Sequence, residues 1–238
     1  NCVDYHRLTA VLLWEKKPEK ALESAVFIRN NAKRSRYIID AENIFLACLY
    51  QMGNYERMKK FAINQLSKAR RVIPLGGILA LSCFHYKYKN NRKAAMFYYL
   101  FEKLLKTQNN FLNSITKKNL NLKLYQPWFF TIGSELKKAL KDKIKTVRGE
   151  YIKRLIQIDL VIESAHDKIP FQKGDIIQKL NSEKIYSYET ILLSLPKLKT
   201  LTIMRNDEIK VLKKNELKMQ FFHPAYLRHI YKIRVIPD

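Results

Sequence analysis

The chain has 238 residues, 47% of them hydrophobic, and its 45 Lys and Arg against 21 Asp and Glu give a formal net charge of +24. This apolar content supports packed cores and excludes a disordered chain. No stretch approaches the roughly 20 uninterrupted apolar residues that span a bilayer. With six glycines and seven prolines, the composition indicates a helix-rich protein with few elaborate loops.

The positive charge has two interpretations. A charge of this sign and size fits binding to nucleic acid or to an anionic membrane surface. The excess is mostly Lys and is spread along the whole chain, in pairs such as Arg70/Arg71 and Lys213/Lys214. A dispersed charge equally fits a solvated surface that faces an acidic partner. We expect a protein partner, and keep a nucleic acid or an anionic membrane surface as the alternative.

The three cysteines are an odd number, which argues against a disulfide framework. Cys48 and Cys83 lie within apolar helical patterns and are predicted to be buried. Cys2 stands in the opening stretch NCVDY, where a cysteine left after removal of a secretion signal would be the acylated residue of a bacterial lipoprotein. The alternative is an ordinary cysteine. We expect a bacterial cell envelope or periplasmic location, lipid-anchored through Cys2, with the cytoplasm as the alternative.

The first half of the chain contains an internal repeat. Ala21, Met58 and Ala95 are separated by 37 residues, and flanking apolar positions keep the same interval. Each unit has an apolar segment, a polar break and an amphipathic segment, which predicts three antiparallel helix pairs. Pro18 suits the first turn of a helix, and Gly53 suits the left-handed residue that ends one.

The stretch LACLYQMGNYERMKKFAINQL (46–66) resembles the tetratricopeptide repeat, and the resemblance covers about residues 3–106. The period is longer than the usual 34 residues of that family. The resemblance implies a scaffold whose concave face grips a segment of another protein, with Tyr50 and Tyr86 as candidate contacts. The alternative is a plain helical bundle.

The second half changes its hydrophobic period. Residues 107–127 are rich in Asn and end in Pro, and we interpret them as a connector. Beyond them the period shifts toward two, which is typical of strands. The predicted elements are a strand or hairpin over 150–164, strands over 175–181, 201–206 and 209–214, a turn at 206–207, and a helix over 186–198 capped by Ser187.

The stretch FQKGDIIQKLNSEKI (171–185) resembles the Gly-Asp turn and following strand of the PDZ domains of bacterial envelope proteases. The resemblance covers about residues 128–214, and Asn181-Ser182 stands where that family has Asn-Gly. Gly174 is predicted to take a backbone conformation that is costly for other residues. Asp175 is predicted to accept backbone N–H bonds within the turn. A different small α+β domain with a Gly-Asp turn is the alternative.

PDZ domains bind peptides by strand addition beside a helix, with loop N–H groups holding the terminal carboxylate. The resemblance implies that WFFTI (128–132) supplies this loop, although Thr131 stands where Gly is expected. The candidate groove residues are Phe129, Phe130 and Ile132 from this segment and Thr190, Ile191 and Leu193 from the helix.

The predicted architecture is a tetratricopeptide-like helical domain (1–106), the connector (107–127) and a PDZ-like α+β domain with a C-terminal tail (128–238). The tail, residues 221–238, is either a further strand packing across both domains or an exposed segment that binds a partner or membrane. No phosphate loop, Cys-x-x-Cys pair or nucleophile elbow occurs, and the five histidines are scattered. We therefore predict a non-enzymatic scaffold that binds and stabilises a partner protein or peptide, with no catalytic residue, metal or cofactor.

Overall fold

The structure is a computed structural model that describes residues 2–33, 35–116, 127–147, 152–222 and 226–237. Helices form its N-terminal part: α1 Cys2–Leu13, α2 Pro18–Asn31, α3 Ser35–Gln51, α4 Tyr55–Ser67, α5 Leu75–Lys87, α6 Asn91–Thr116 and α7 Pro127–Lys145. The C-terminal part contains β1 Ile156–Ala165, β2 Ile176–Leu180, β3 Glu183–Lys184, α8 Tyr188–Ser194, β4 Thr200–Arg205, β5 Glu208–Lys213 and β6 Leu227–Val235. The predicted combination of a helical part and a mixed α+β part is confirmed.

The helices follow the 37-residue interval. α2 begins at Pro18 and α4 at Tyr55, and the equivalent residues Ala21, Met58 and Ala95 are all fully buried. Each of α1 to α6 packs against the next helix along the chain, and α3 also contacts α1 and α5. This stacking buries α5 along almost its whole length, from Leu75 to His85, because helices cover it on several sides.

Two of the polar breaks form turns with a left-handed residue. Gly53 has φ +70, as predicted. In the next break the left-handed residue is Lys89, with φ 59, and Asn90 serves a different purpose. Its Oδ1 accepts the backbone N–H of Lys93 at 3.2 Å, so that Asn90 caps the start of α6.

The helical part is longer than predicted. α6 continues to Thr116, so the predicted connector is helical over 107–116, and residues 117–126 lie outside the described part of the chain. α7 packs against α5 and α6, which carries the helical part past the predicted boundary at 128 to Lys145. The buried residues Ile132, Leu136 and Leu140 of α7 keep the four-residue spacing of a helix face.

The strands form one antiparallel sheet in the order β5-β4-β2-β1-β6, and β3 pairs with β2. Adjacent cross-strand rows point to opposite faces of the sheet. The inner row is fully buried and consists of Ile203, Ile177, Leu160 and Tyr231. The outer row consists of Ile209, Met204, Ile176, Val161 and Ile230. Register is therefore fixed by the apolar inner face.

The Gly-Asp turn has the predicted geometry and one partner that the sequence did not indicate. Gly174 has φ +95, and Asp175 accepts the N–H of Gln172 at 2.8 Å. Arg205 in β4 additionally donates its Nε and Nη2 to the two Asp175 oxygens at 2.8 and 2.7 Å. The hydrogen bond to Asp175 raises the pKa of Arg205, and Nη2 also donates to the carbonyl of Pro170. This ion pair, with its carboxylate buried, joins the turn to the end of β4.

The predicted strands and helix agree with β1, β2, β4, β5 and α8 to within a few residues at most boundaries. Ser187 caps α8 as predicted, because its Oγ accepts the N–H of Thr190 at 3.4 Å. Asn206 and Asp207 have φ 51 and 64 and form the predicted two-residue turn between β4 and β5.

The C-terminal tail forms β6, which confirms that a strand packs across both parts of the molecule. β6 pairs with β1 on one side. On the other side the Tyr231 N–H donates to the carbonyl of Arg70 at 2.7 Å, in the connection between α4 and α5. Arg71 donates to the carbonyl of His229 at 2.8 Å and forms an ion pair with Glu163. One continuous apolar core therefore runs from the helices into the sheet.

Candidate functional site

Tyr50 and Tyr86 lie near one another on the helical part. Tyr86 on α5 is exposed, and Tyr50 on α3 is half-buried with its ring edge-on to Tyr55 at 5.8 Å. Burial raises the pKa of Tyr50 to about 12, with smaller contributions from Cys83, Tyr55, Glu135 and Tyr86. Helices α3, α5 and α7 therefore share this region. Partner binding at the two tyrosines stays a prediction.

The predicted carboxylate-binding loop is wrong. Residues 128–132 lie in the first turns of α7 and not in a loop, so they do not form the carboxylate-binding loop that the PDZ resemblance implied. Ile132 is buried and Phe130 packs partly buried against the core. The side chain of Phe129 lies outside the described part of the structure.

The helix half of the predicted groove lies elsewhere. Ile191 on α8 is fully buried, whereas Thr190 is partly buried and Leu193 is exposed. α8 packs against α6, and the strand beside its first residue is β6, because the Tyr188 N–H donates to the Tyr231 hydroxyl at 2.8 Å. β6, rather than residues 129–132, therefore holds the position beside α8.

The outer edge of β6 is covered by the chain itself. The carbonyl of Arg70 accepts from the Tyr231 N–H, and the Arg71 guanidinium donates to the carbonyl of His229. Those are the backbone groups with which an added peptide strand would bond at that edge. The connection between α4 and α5 thus occupies part of the outer edge of β6.

The opposite edge of the sheet is open in the described part of the chain, where β5 pairs with β4 alone. In a two-residue hairpin the residues flanking the turn exchange hydrogen bonds, and bonded pairs then alternate along the strands. The N–H of Lys214 donates to the carbonyl of Lys199 at 2.9 Å, which agrees with this alternation. The backbone groups of Ile209 and Val211 therefore point away from β4, toward the open edge.

Beside this edge lies an exposed apolar surface. Ile209 is 69% exposed and Val211 is 53% exposed, and both side chains lie on the outer face because they are two residues apart. Ile209 continues the outer row through Met204 and Ile176, which are partly buried. The sequence predicted this strand, but its alternating pattern did not indicate that the strand would be an edge.

A cleft on the helical part is lined by basic side chains. A cleft of about 280 Å³ between α2, α3 and α4 is lined by four cationic side chains, Arg29, Lys68, Arg70 and Arg71, and by Glu42. Glu42 is engaged by Gln65 Nε2 at 3.1 Å and by Arg29 at 3.8 Å. The cleft therefore carries a net positive charge and fits an anionic group.

Chemistry-bearing side chains are otherwise dispersed. Cys2 is exposed on α1, and Cys48 and Cys83 are buried as predicted; burial raises the pKa of Cys48 to about 12 and keeps its thiol protonated. Within the described ranges, no group of His, Cys, Asp and Glu side chains is arranged to hold a metal ion. Among the same residues, no helix combines the length and apolar character needed to span a membrane.

Comparison of the chain with protein-family models, with curated proteins and with solved structures returns no match.

Proposed function

We propose that this protein is a non-enzymatic interaction scaffold that binds an extended segment of a partner protein as an added strand on the open edge of β5. The supporting observation is that Ile209 and Val211 combine backbone groups that point toward the open edge with exposed apolar side chains. In strand addition the backbone bonds provide affinity and alternate side chains provide specificity. An exposed apolar edge without such a role promotes aggregation and is normally protected.

The proposal extends to the two resemblances. We propose a tetratricopeptide-like scaffold for the helical part, supported by helix pairs at a 37-residue interval and by the position of Tyr50 and Tyr86 on the contacting helices α3 and α5. We propose a PDZ-like module for the sheet part, supported by the Gly174-Asp175 turn followed by a strand, α8 and a hairpin. An envelope location is part of the proposal and rests on the resemblance of 171–185 to envelope-protease domains.

A second candidate function is binding to nucleic acid or to an anionic membrane surface. The net charge of +24 and the basic cleft at Arg29, Lys68 and Arg70 favour it. The two functions differ in their response to salt, because charge-driven binding weakens steeply as salt rises. Backbone hydrogen bonding and apolar contact are affected much less.

The test compares Val211→Pro with Val211→Ile in the full chain. Proline removes the outward N–H at a position where an edge strand tolerates it, whereas isoleucine keeps both the N–H and the apolar side chain. Each protein is immobilised and exposed to source-cell lysate at about 0.1 M and about 0.5 M salt, where the Debye length is about 10 and about 4 Å. Circular dichroism establishes that both variants are folded.

We expect one protein to be retained at the higher salt by the wild type and by Val211→Ile, and to be lost from Val211→Pro. Equal retention by Val211→Pro would exclude the β5 edge as the binding site. Retention of nucleic acid or lipid at low salt alone would favour the second candidate function.

A further inference from the structure

The two faces of β5 offer different chemistry to an added strand. On the outer face, Ile209 and Val211 are apolar and exposed. On the other face Leu212 is buried, and the exposed side chains are Glu208, next to the turn, and Lys210. Because successive side chains of a strand alternate between faces, a strand beside β5 meets apolar groups on one face, and on the other it meets Lys210 at the centre of the edge with Glu208 toward the hairpin end.

The open edge is short, and its end is basic. The N–H of Lys213 is bonded to the Glu216 carboxylate at 2.8 Å, which leaves the backbone groups of Ile209 and Val211 as the accessible part. The side chains of Lys213 and Lys214 follow at this end, and both residues are exposed. Asp207 and Glu208 lie at the hairpin end, so the edge changes from acidic to basic along its length.

A second copy of this chain is disfavoured in the register that uses both apolar side chains of β5. Symmetric antiparallel pairing that places Ile209 opposite Val211 of the other copy also places Lys210 opposite Lys210. Like charges directly opposite each other destabilise a strand pair. Two chains that each carry a formal charge of +24 also repel one another at longer range.

On these grounds we infer that the occupant of the β5 edge is an extended segment of a partner protein in which apolar and acidic residues alternate. The inference rests on the proposed strand addition and names its ligand. The apolar residues pack against Ile209 and Val211, and the acidic residues lie on the face of Lys210. The net positive charge of the whole chain adds electrostatic attraction for such a segment.

The test uses the full chain and two short fluorescein-labelled peptides, one alternating valine with glutamate and one alternating valine with lysine. Dissociation constants are measured by fluorescence anisotropy at about 0.05 M and about 0.5 M salt. Lys210→Glu reverses the charge at the edge, and Lys210→Gln is its neutral control. Val211→Pro removes the central backbone donor.

We expect the glutamate peptide to bind at least about tenfold more tightly than the lysine peptide at low salt. Lys210→Gln reduces the ratio between the dissociation constants of the two peptides, and Lys210→Glu reduces it further. Val211→Pro weakens binding of the glutamate peptide. Amide exchange measured by NMR is expected to slow at Ile209 and Val211 when the peptide is bound.

The outcomes separate the two proposals. If both peptides bind equally well and Val211→Pro weakens the binding of both, the inference of an acidic ligand is wrong and strand addition on β5 is supported. Binding of the glutamate peptide that is unaffected by Val211→Pro overturns strand addition on β5 itself. If neither peptide binds, the inference of an alternating apolar and acidic ligand is wrong. It is also wrong if the wild type dimerises in a concentration-dependent way and Val211→Pro abolishes the dimer, because the occupant of the edge would then be a second copy.

Discussion

The ion pair between Asp175 and Arg205 gives the sharpest prediction about stability. Asp175 is 1% exposed, and its two oxygens accept from Arg205 Nε and Nη2 and from the N–H of Gln172. Asp175→Asn preserves the shape of the side chain but removes the counter-charge and turns an N–H donor toward the guanidinium. Removing one partner of a buried pair leaves an uncompensated charge, which costs about 3–5 kcal/mol. That is a large share of the roughly 5–15 kcal/mol that stabilises a typical protein.

The measurement is the free energy of unfolding from urea titrations followed by circular dichroism. The urea midpoint of Asp175→Asn is expected to fall while the slope m stays constant. Arg205→Met is the second single variant and Asp175→Asn/Arg205→Met the double variant. Because the double variant buries no unpaired charge, its loss is expected to be smaller than the sum of the single losses by at least about 1 kcal/mol. A loss below about 1 kcal/mol for Asp175→Asn, or strict additivity, would refute the reasoning.

Three further predictions concern other parts of the fold. Ser182 has φ 73, so Ser182→Gly relieves a left-handed conformation and is expected to stabilise the protein by about 1 kcal/mol; an unchanged urea midpoint would contradict this. Gly77→Ala places a Cβ 3.1 Å from Leu66 Cγ and 3.3 Å from the carbonyl oxygen of Ala62, and this crowding is expected to cost about 1–3 kcal/mol. The control Gly133→Ala, whose nearest contact is 3.7 Å, should show no such loss. Burial, with Arg71, lowers the pKa of His229 to about 4, so the unfolded chain takes up a proton near pH 6.5 before the folded chain does, and stability falls as pH drops from about 6.5 toward 4. The loss of stability is at most about 3 kcal/mol and is reduced by the partial exposure of His229. His229→Phe retains an aromatic ring against Tyr188 and should flatten the pH dependence of the free energy of unfolding between these pH values.

The sequence predicted the features that depend on local chemistry. The 37-residue interval gave the helix pairs, the change of hydrophobic period gave β1, β2, β4 and β5, and Gly174 gave the turn. These succeeded because helix and strand periods and the left-handed preference of glycine act over a few residues. The loop prediction at 128–132 is wrong because Ile132 belongs to a helix face that continues through Leu136 and Leu140.

The candidate site was predicted only in part. Val211 and Ile209 belonged to a predicted strand, but nothing in their local pattern distinguished an edge strand from a central one. The distinction depends on which strands pair, and β6 reaches β1 from about 70 residues away along the chain. The residues of the predicted groove were separated for the same reason, since α7 packs with α5 and α6 while β6 lies beside α8.

By itself, the sequence determined the helix pairs of the first half, the strands β1, β2, β4 and β5 with their turns, and the basic charge, because each follows from side-chain chemistry read over short distances. Only the tertiary structure decided which sheet edge is closed and which is open. Arg70 and Arg71 cover β6 from a loop between two helices, while β5 has β4 as its neighbour on one side. Backbone hydrogen-bonding capacity is nearly the same for every residue, so the place where it is left available depends on which long-range pairs form and not on residue identity.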